Sequence, residues 1–344
     1  MPNTTTGVNT ILRSLVYQPK DVIIYYSTIY EACEATVFYM EETTPVQAHR
    51  IPLTYPMSDD EICSALVAAI HDVKAKGLVP RLAIFDTITA APGVRVPFER
   101  LTKLCREHEV LSLVDGAHAV GMLPLNMTEL DPDFFVSNCH KWLYVPRSCA
   151  FMYVPRRNQA LIRSSLPTSY SFVPRPAGKT PAFEDDAFEK LFEGPGTTDS
   201  SSFLTVAAAI EWRRHVTWGS LRGEAAILGY CTAQAAEGSA LLARRFGTDV
   251  LPNGPDIFMK NVRLPLDWDE VAGGDQATAD QIGLWIAKTI LNEYNSFMIV
   301  RTHAEHWWMR MSAQVYLTMR EDWEKAADIM IEVCERVRKG DWKS

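Results

Sequence analysis

The sequence predicts an α/β protein: a large domain built on a mostly parallel sheet with helices over both faces, then a smaller α+β domain at the C-terminus. Three observations predict it. Short apolar strands alternate with helical segments through the first half of the chain, the pattern of a sheet whose strands are buried on both sides. The densest stretch of Pro, Gly and Ser, from about 164 to 202, interrupts the chain near its middle. Beyond it the helical patterns lengthen and the strands become fewer. The expected domains are 1–240 and 241–344.

The elements follow in order. DVIIYY (21–26) reads as a strand and 28–40 as a helix. Ser58 and Glu61 form a capping-box start for EICSALVAAIHDVKAKG, which Gly77 ends. LAIFD (82–86) is a strand, 97–109 a helix with Pro97 near its start, and VLSLVD (110–115), DFFVSN (133–138) and AFMYVP (150–155) are further strands. In the second half, helices are expected at 203–217 and 220–246. DIFMKNVRLPL reads as a strand, 276–294 as a helix, FMIV and MRMSAQVY as strands, and 321–339 as a closing helix.

Composition narrows the function. The chain has 344 residues, 47% hydrophobic and 22% charged, with a net charge of −8. Its basic residues are scattered, so it offers no field for gripping nucleic acid. No apolar run approaches the roughly 20 residues of a membrane helix, and MPNTTTGVNT lacks the pattern of a signal peptide, so a cytoplasmic protein is expected. The seven cysteines (33, 63, 105, 139, 149, 231 and 334) are irregularly spaced without CxxC pairs, which suits reduced thiols buried as small hydrophobes. His303 and His306 have no HExxH context, and no metal site is expected.

Ligands of open parallel sheets sit at the carboxyl ends of the strands. Three polar segments fall at such places or at a helix start: Asp115 leading into GAHAVG, the CHKW after DFFVSN, and PNTTTGVN before a helix expected at 7–17. Lys141 in SNCHKWLYVPR is either a lysine that snorkels to solvent or pairs, or an amine activated as a nucleophile. Taken singly, Asp115 reads equally as a turn residue, Thr4 to Thr6 as an N-cap, His118 as a satisfied core histidine, Tyr30 as packing and Arg310 as an ion-pair partner. Together, a strand-end aspartate, a lysine past a later strand and a hydroxyl-rich helix start match the needs of pyridoxal 5'-phosphate. The lysine forms a Schiff base with its aldehyde, the aspartate keeps its ring nitrogen protonated, and backbone N–H groups and hydroxyls hold its phosphate.

On VDGAHAVG, DPDFFVSNCHKWLYVPRSCAFMYVP, FEGPGTTDSSSFLTVAAAIEWR and MRMSAQVY, the chain resembles the fold-type-I pyridoxal-phosphate enzymes of the class V aminotransferase and cysteine desulfurase superfamily. More narrowly it is similar to the group of fungal hercynylcysteine sulfoxide lyase, loline-pathway enzymes and isopenicillin N epimerase relatives. The resemblance implies Lys141 as the Schiff-base lysine, Asp115 as the partner of the pyridine nitrogen, and His118 beside the cofactor's phenolic oxygen. It implies Thr5, Thr6, Asn138 and His140 around the phosphate, Tyr30 stacked on the ring, and Arg310 clamping a substrate carboxylate. It further implies a homodimer in which Thr197 reaches the neighbouring subunit's phosphate.

Two departures from the family bear on activity. Relatives carry several tens of residues ahead of the phosphate loop, so an N-terminal segment is expected to be missing here, through a truncated gene model or a shortened paralogue. In FDTITAAPG, Ala90 stands where the superfamily often has Asn. Cys231 and Cys334 fall in expected helices, which disfavours a persulfide-carrying loop. The expected activity is therefore a lyase that needs no carrier thiol and cleaves a C–S or C–C bond within the side chain of a modified amino acid. An epimerase or cyclising enzyme, or a catalytically dead paralogue serving as a binding partner, are the alternatives.

Overall fold

The computed structural model describes residues 1–167, 172, 187–194, 196–252, 254 and 257–343. Its first helix starts early. Asn3 is extended and its side-chain oxygen accepts the Thr6 N–H at 2.8 Å, so α1 runs Thr4–Ser14. Asn is at least as good an N-cap as Thr, and Thr4, Thr5 and Thr6 consequently form the helix's first turn instead of preceding it.

Next come β1 (Asp21–Tyr26), α2 (Glu31–Thr43), β2 (Gln47–Ile51), α3 (Asp59–Ala75), β3 (Val79–Asp86), α4 (Phe98–Glu107), β4 (Leu111–Asp115), α5 (Met127–Leu130), β5 (Phe134–Asn138), α6 (Cys139–Trp142) and β6 (Ala150–Tyr153). The sheet order is β2-β1-β3-β4-β5-β6. All neighbours are parallel except β5 and β6. The expected capping box is present, Ser58 accepting the Glu61 N–H while Glu61 accepts from Ser58. β2 was not expected: QAHRI is a polar edge strand, buried only at Ile51, and such a strand has no apolar alternation to reveal it.

Strand alternation decides what lies beneath α1 and α2. Side groups two residues apart share a face, so Leu82, Ile84 and Asp86 of β3 line up with Leu113 and Asp115 of β4 and with Phe134, Val136 and Asn138 of β5. The apolar members of this set pack with Val8, Ile11 and Leu12 of α1 and Cys33, Val37 and Met40 of α2. Each fully buried large aliphatic or aromatic residue contributes about 1.5–3 kcal/mol. The polar members cap the same three rows at their carboxyl ends. On the sheet's other side α3 packs against β1 and β3, and α4 against β3 and β4.

After α7 (Arg156–Gln159) come α8 (Ala187–Glu193), α9 (Ser201–Leu204) and α10 (Val206–His215). The expected helix 203–217 is thus divided, and a small hairpin, β7 (Thr217–Trp218) and β8 (Leu221–Arg222), turns at Gly219 with φ 57°. The last elements are α11 (Glu224–Phe246), β9 (Met259–Arg263), α12 (Trp268–Ala272), α13 (Gln276–Tyr294), β10 (Ile299–His303), β11 (His306–Ser312) and α14 (Lys325–Lys339). A single π-helical turn, Met319–Glu324, precedes α14 where the closing helix was expected to begin.

Two compact units result. One comprises residues 1–53, 58–89 and 96–211, the other 54–57, 90–95 and 212–344. The division does not fall at residue 240, because α11 runs unbroken through that position and contributes Leu242 and Phe246 to the second unit's core. That core lies against an antiparallel sheet ordered β10-β11-β9. It is filled by Trp268 and Trp307, whose rings tilt at 44° with centroids 4.8 Å apart, and by Ile282, Ile286 and Ile290 of α13. No helix among the described residues is long and apolar enough to cross a membrane.

Candidate active site at the carboxyl ends of the sheet

Asp86 and Asp115 are direct partners in the β3–β4 register, and both are buried. Two carboxylates side by side and out of water cannot both hold a charge. The surroundings separate them. Asp115 accepts the Ala117 N–H at 2.9 Å on Oδ1 and the Cys33 thiol at 3.4 Å on Oδ2. Burial raises its carboxyl, and the Ala117 N–H and the Cys33 thiol oppose that rise. Asp86 is driven well above the ordinary range, first by burial and then by the charge of Asp115. Asp115 is therefore the member suited to stay ionised, and Asp86 the one that keeps a proton.

Cys33 lies one helical turn past Tyr30. Burial, then Asp115 and Asp86, raise its thiol well above the usual value. It remains an S–H donor toward Asp115. Tyr30 itself caps the start of α2 at 48% exposure, so the residue of this helix that meets Asp115 is Cys33 rather than the tyrosine.

Lys141 and Trp142 end the short α6 turn directly after β5. Lys141 Nζ lies 3.1 Å from His118 Nε2, and Trp142 Nε1 donates to His118 Nδ1 at 3.1 Å. Two glycines fix this meeting. A Cβ on Gly116 would fall 2.4 Å from Phe135 and 2.8 Å from the Val136 carbonyl, and one on Gly121, where φ is 86°, would fall 2.3 Å from the Trp142 carbonyl. The His118 loop is pressed onto β5 and the lysine's turn at a distance only glycine permits.

Several other expected residues of the first unit fall around this turn. Asn138 Oδ1 accepts the Thr4 N–H at 2.9 Å, joining the start of α1 to the lysine's turn. Thr6 donates its hydroxyl to Asn3 at 3.0 Å. His140 Nδ1 accepts the Cys149 N–H at 3.0 Å, and burial holds its imidazole below the ordinary value. Thr5 and Thr6 line a cavity of about 1290 Å³ together with Arg13, Arg147, Arg163 and Thr197. Lys141, His118 and Asp115 are not in its lining, so the chemistry is not located by the size of a cavity. In the second unit, Arg310 donates to the Ala90 carbonyl. Burial, with Arg301 nearby, pushes its guanidinium down to about 10.

Two buried polar atoms among the described residues have no hydrogen-bond partner and bear on an anionic ligand: Thr4 Oγ1 and Arg310 Nε. Buried groups left in this way ask for an explanation such as a ligand. An amine beside a histidine, a buried carboxylate and a helix start with an unsatisfied hydroxyl are the donor set that pyridoxal phosphate requires. The residues fit the group.

Sequence reasoning missed Asp86 and Cys33. The signal for Asp86 was its parity with Leu82 and Ile84, which placed it beside Asp115. The signal for Cys33 was its spacing to Val37 and Met40 along one face of α2.

A mostly parallel sheet with a lysine and an aspartate at its strand ends defines an α/β enzyme scaffold of the pyridoxal-phosphate transferase type. The chain belongs to the aminotransferase class-V family, whose model matches residues 1–221. It is 36% identical to the L-cysteine desulfhydrase-like protein lolT1 of Epichloe uncinata, over 97% of this chain and 79% of that protein. It is 26% identical to the hercynylcysteine sulfoxide lyase of Schizosaccharomyces pombe, over 96% of this chain and 77% of the relative. The crystal structure of the cysteine desulfurase CsdA from Escherichia coli shares the fold, with a TM-score of 0.68 at 17% identity, covering 98% of this chain and 78% of the other.

Proposed function

We propose that this protein is a pyridoxal-phosphate-dependent lyase that cleaves a carbon–sulfur or carbon–carbon bond within the side chain of a modified amino acid. The observation that carries the proposal is Lys141 held against His118 one strand away from the buried Asp115. When bound, the cofactor supplies an aldehyde for the lysine amine and a ring that withdraws electrons from the substrate's Cα. The protein's own groups do the rest. Lys141 Nζ takes the Cα proton as general base, and the Asp115 carboxylate holds a proton on the pyridine nitrogen. Thr5, Thr6, Asn138 and His140 surround the phosphate, Tyr30 covers the ring, and Arg310 clamps the substrate carboxylate bidentately. The unpartnered Thr4 hydroxyl supports the phosphate site, and the unpartnered Arg310 Nε supports a role in binding a carboxylate.

A lyase is favoured over sulfur transfer to the enzyme by the second unit's cysteines. Cys231 and Cys334 are wholly buried in α11 and α14, and burial pushes the Cys334 thiol up to about 12. Neither is exposed as a thiolate to accept sulfur. The similarity to a desulfhydrase-like protein and a sulfoxide lyase supports the carbon–sulfur class of substrate. We further place the enzyme in the cytoplasm as a homodimer. The exposed Leu204, next in sequence to the cavity-lining Phe203, supports a covered surface there.

The test adds pyridoxal phosphate to the purified protein and follows its visible absorbance, then supplies S-substituted cysteines and measures fragment release. The wild type is expected to show both. Lys141→Ala is expected to lose the band and at least about 10³-fold of the activity. A wild type that takes up the cofactor and exchanges the Cα hydrogen without releasing a fragment would replace the lyase by an epimerase. No band at all would leave the binding-partner alternative.

A further inference from the structure

His118 is 6% exposed and held at both ring nitrogens by consecutive residues of one turn, Trp142 at Nδ1 and Lys141 at Nε2, each at 3.1 Å. The two neighbours differ in what they can do. An indole N–H only donates, so the ring nitrogen facing Trp142 must present a lone pair. A neutral imidazole carries one proton, and with Nδ1 accepting, that proton is on Nε2. The Nε2–H then points at Lys141 Nζ, which has to accept and is therefore an uncharged amine. The reverse arrangement, an ammonium donating to Nε2, would require the ring proton on Nδ1, against the indole N–H.

We propose that Trp142 is a positioning residue that fixes His118 in its Nε2–H tautomer, so that the imidazole donates toward Lys141 and holds the lysine as the free amine. The inference rests on Lys141 being the cofactor lysine only for its consequence, since an uncharged amine is the form that attacks an aldehyde. The tautomer itself stands on the two contacts. It also gives a reason for the sequence Lys-Trp. Adjacent residues in a helical turn point about 100° apart, so Lys141 and Trp142 reach opposite edges of the same ring when the loop bearing it is brought as close as Gly121 allows.

The experiment uses cofactor-free protein carrying ¹⁵N-histidine, with the His118 signals assigned by their loss in His118→Gln. The wild type is expected to show a protonated Nε2 and an unprotonated Nδ1 near neutral pH. In Trp142→Phe the ratio is expected to move toward the Nδ1–H form by roughly 2- to 12-fold, the value of one neutral hydrogen bond. A wild-type His118 protonated at Nδ1, or a ratio unchanged by Trp142→Phe, overturns the proposal. If Trp142→Phe does not fold, the indole N–H of Trp142 is followed instead. In His118→Leu its proton is expected to move upfield and exchange faster with water than in the wild type, and no change refutes the contact.

Cofactor addition separates the two readings. The rate at which the visible band forms is expected to fall roughly 2- to 12-fold in Trp142→Phe, and an equal rate would refute the link to the amine. If the wild type forms no band, the reading of Lys141 fails while the tautomer is still decided by the ¹⁵N signals.

Discussion

At the carboxyl end of the parallel sheet, Asp86, Asp115, Cys33 and His118 are each no more than 6% exposed. Behind the three-stranded sheet of the second unit, the wholly buried residues include Trp307, Ile282, Ile286, Ile290 and Met330. Both regions are dry, but they contain different chemistry. The first holds groups whose protons depend on their neighbours, and each is costly to desolvate. The second holds hydrocarbon and indole, with the Trp307 N–H satisfied by the Ala279 carbonyl at 2.9 Å. The difference teaches that stability and reactivity are stored in separate places. The ends of β3, β4 and β5 give up folding energy to keep ionisable groups close, and the aromatic core makes no such concession.

The comparison is tested most strongly at Trp307. Trp307→Ala removes a wholly buried indole and is expected to cost roughly 3–5 kcal/mol in urea unfolding, by the same amount at about pH 6 and pH 8. A loss that varied with pH would break the contrast.

Asp86→Asn tests the opposite region. Because the folded-state carboxyl of Asp86 is raised, the native protein holds a proton that the unfolded polypeptide releases above about pH 3.9. Stability from this group is complete below that pH and falls as pH rises toward its folded value. The asparagine cannot ionise. The variant is expected to gain on the wild type with rising pH, on the order of 1 kcal/mol per unit within the window. Urea unfolding curves that stay parallel across the range would mean that Asp86 is not the proton holder.

The smallest effect is expected from Asn3→Ala, which removes the cap of α1. It should cost about 1 kcal/mol with no dependence on pH. This would identify the helix start as scaffold, distinct from the titrating cluster it covers. Thermal unfolding of the variant and the wild type at two pH values checks it, and a pH-dependent loss would join the cap to that cluster.

Much of this was legible in the sequence, for physical reasons that differ by element. The strands β1, β4 and β5 are largely apolar and bounded by polar turns, so pattern alone finds them. The helix 276–294 is framed by Asp275, which accepts the Thr278 N–H, and by Asn295 in the left-handed region, and its bounds agree with expectation. Lys141 and Asp115 could be singled out because strand ends are where ligands bind, whereas His118 entered only through the family resemblance. Asp86 was not, since a strand-end aspartate beside another is a relation between two segments, and only the register brings them together. The break after α10 was expected between 217 and 220, but its hairpin was hidden because Trp218 and Leu221 continue an apolar pattern around Gly219. The division between the units was hidden because α11 belongs wholly to the second, although its sequence continues the helical run of the first.

The bond from the Thr4 N–H to Asn138 joins positions 134 residues apart, and that separation sets an order of events during synthesis. A polypeptide made from its N-terminus presents α1 long before β5 exists, and the apolar side of that helix has to wait for Phe134 and Val136. Closing so large a loop is slow, and exposed apolar segments are prone to aggregate in the interval. The helix start that faces the lysine's turn is therefore finished only after β5 has been made.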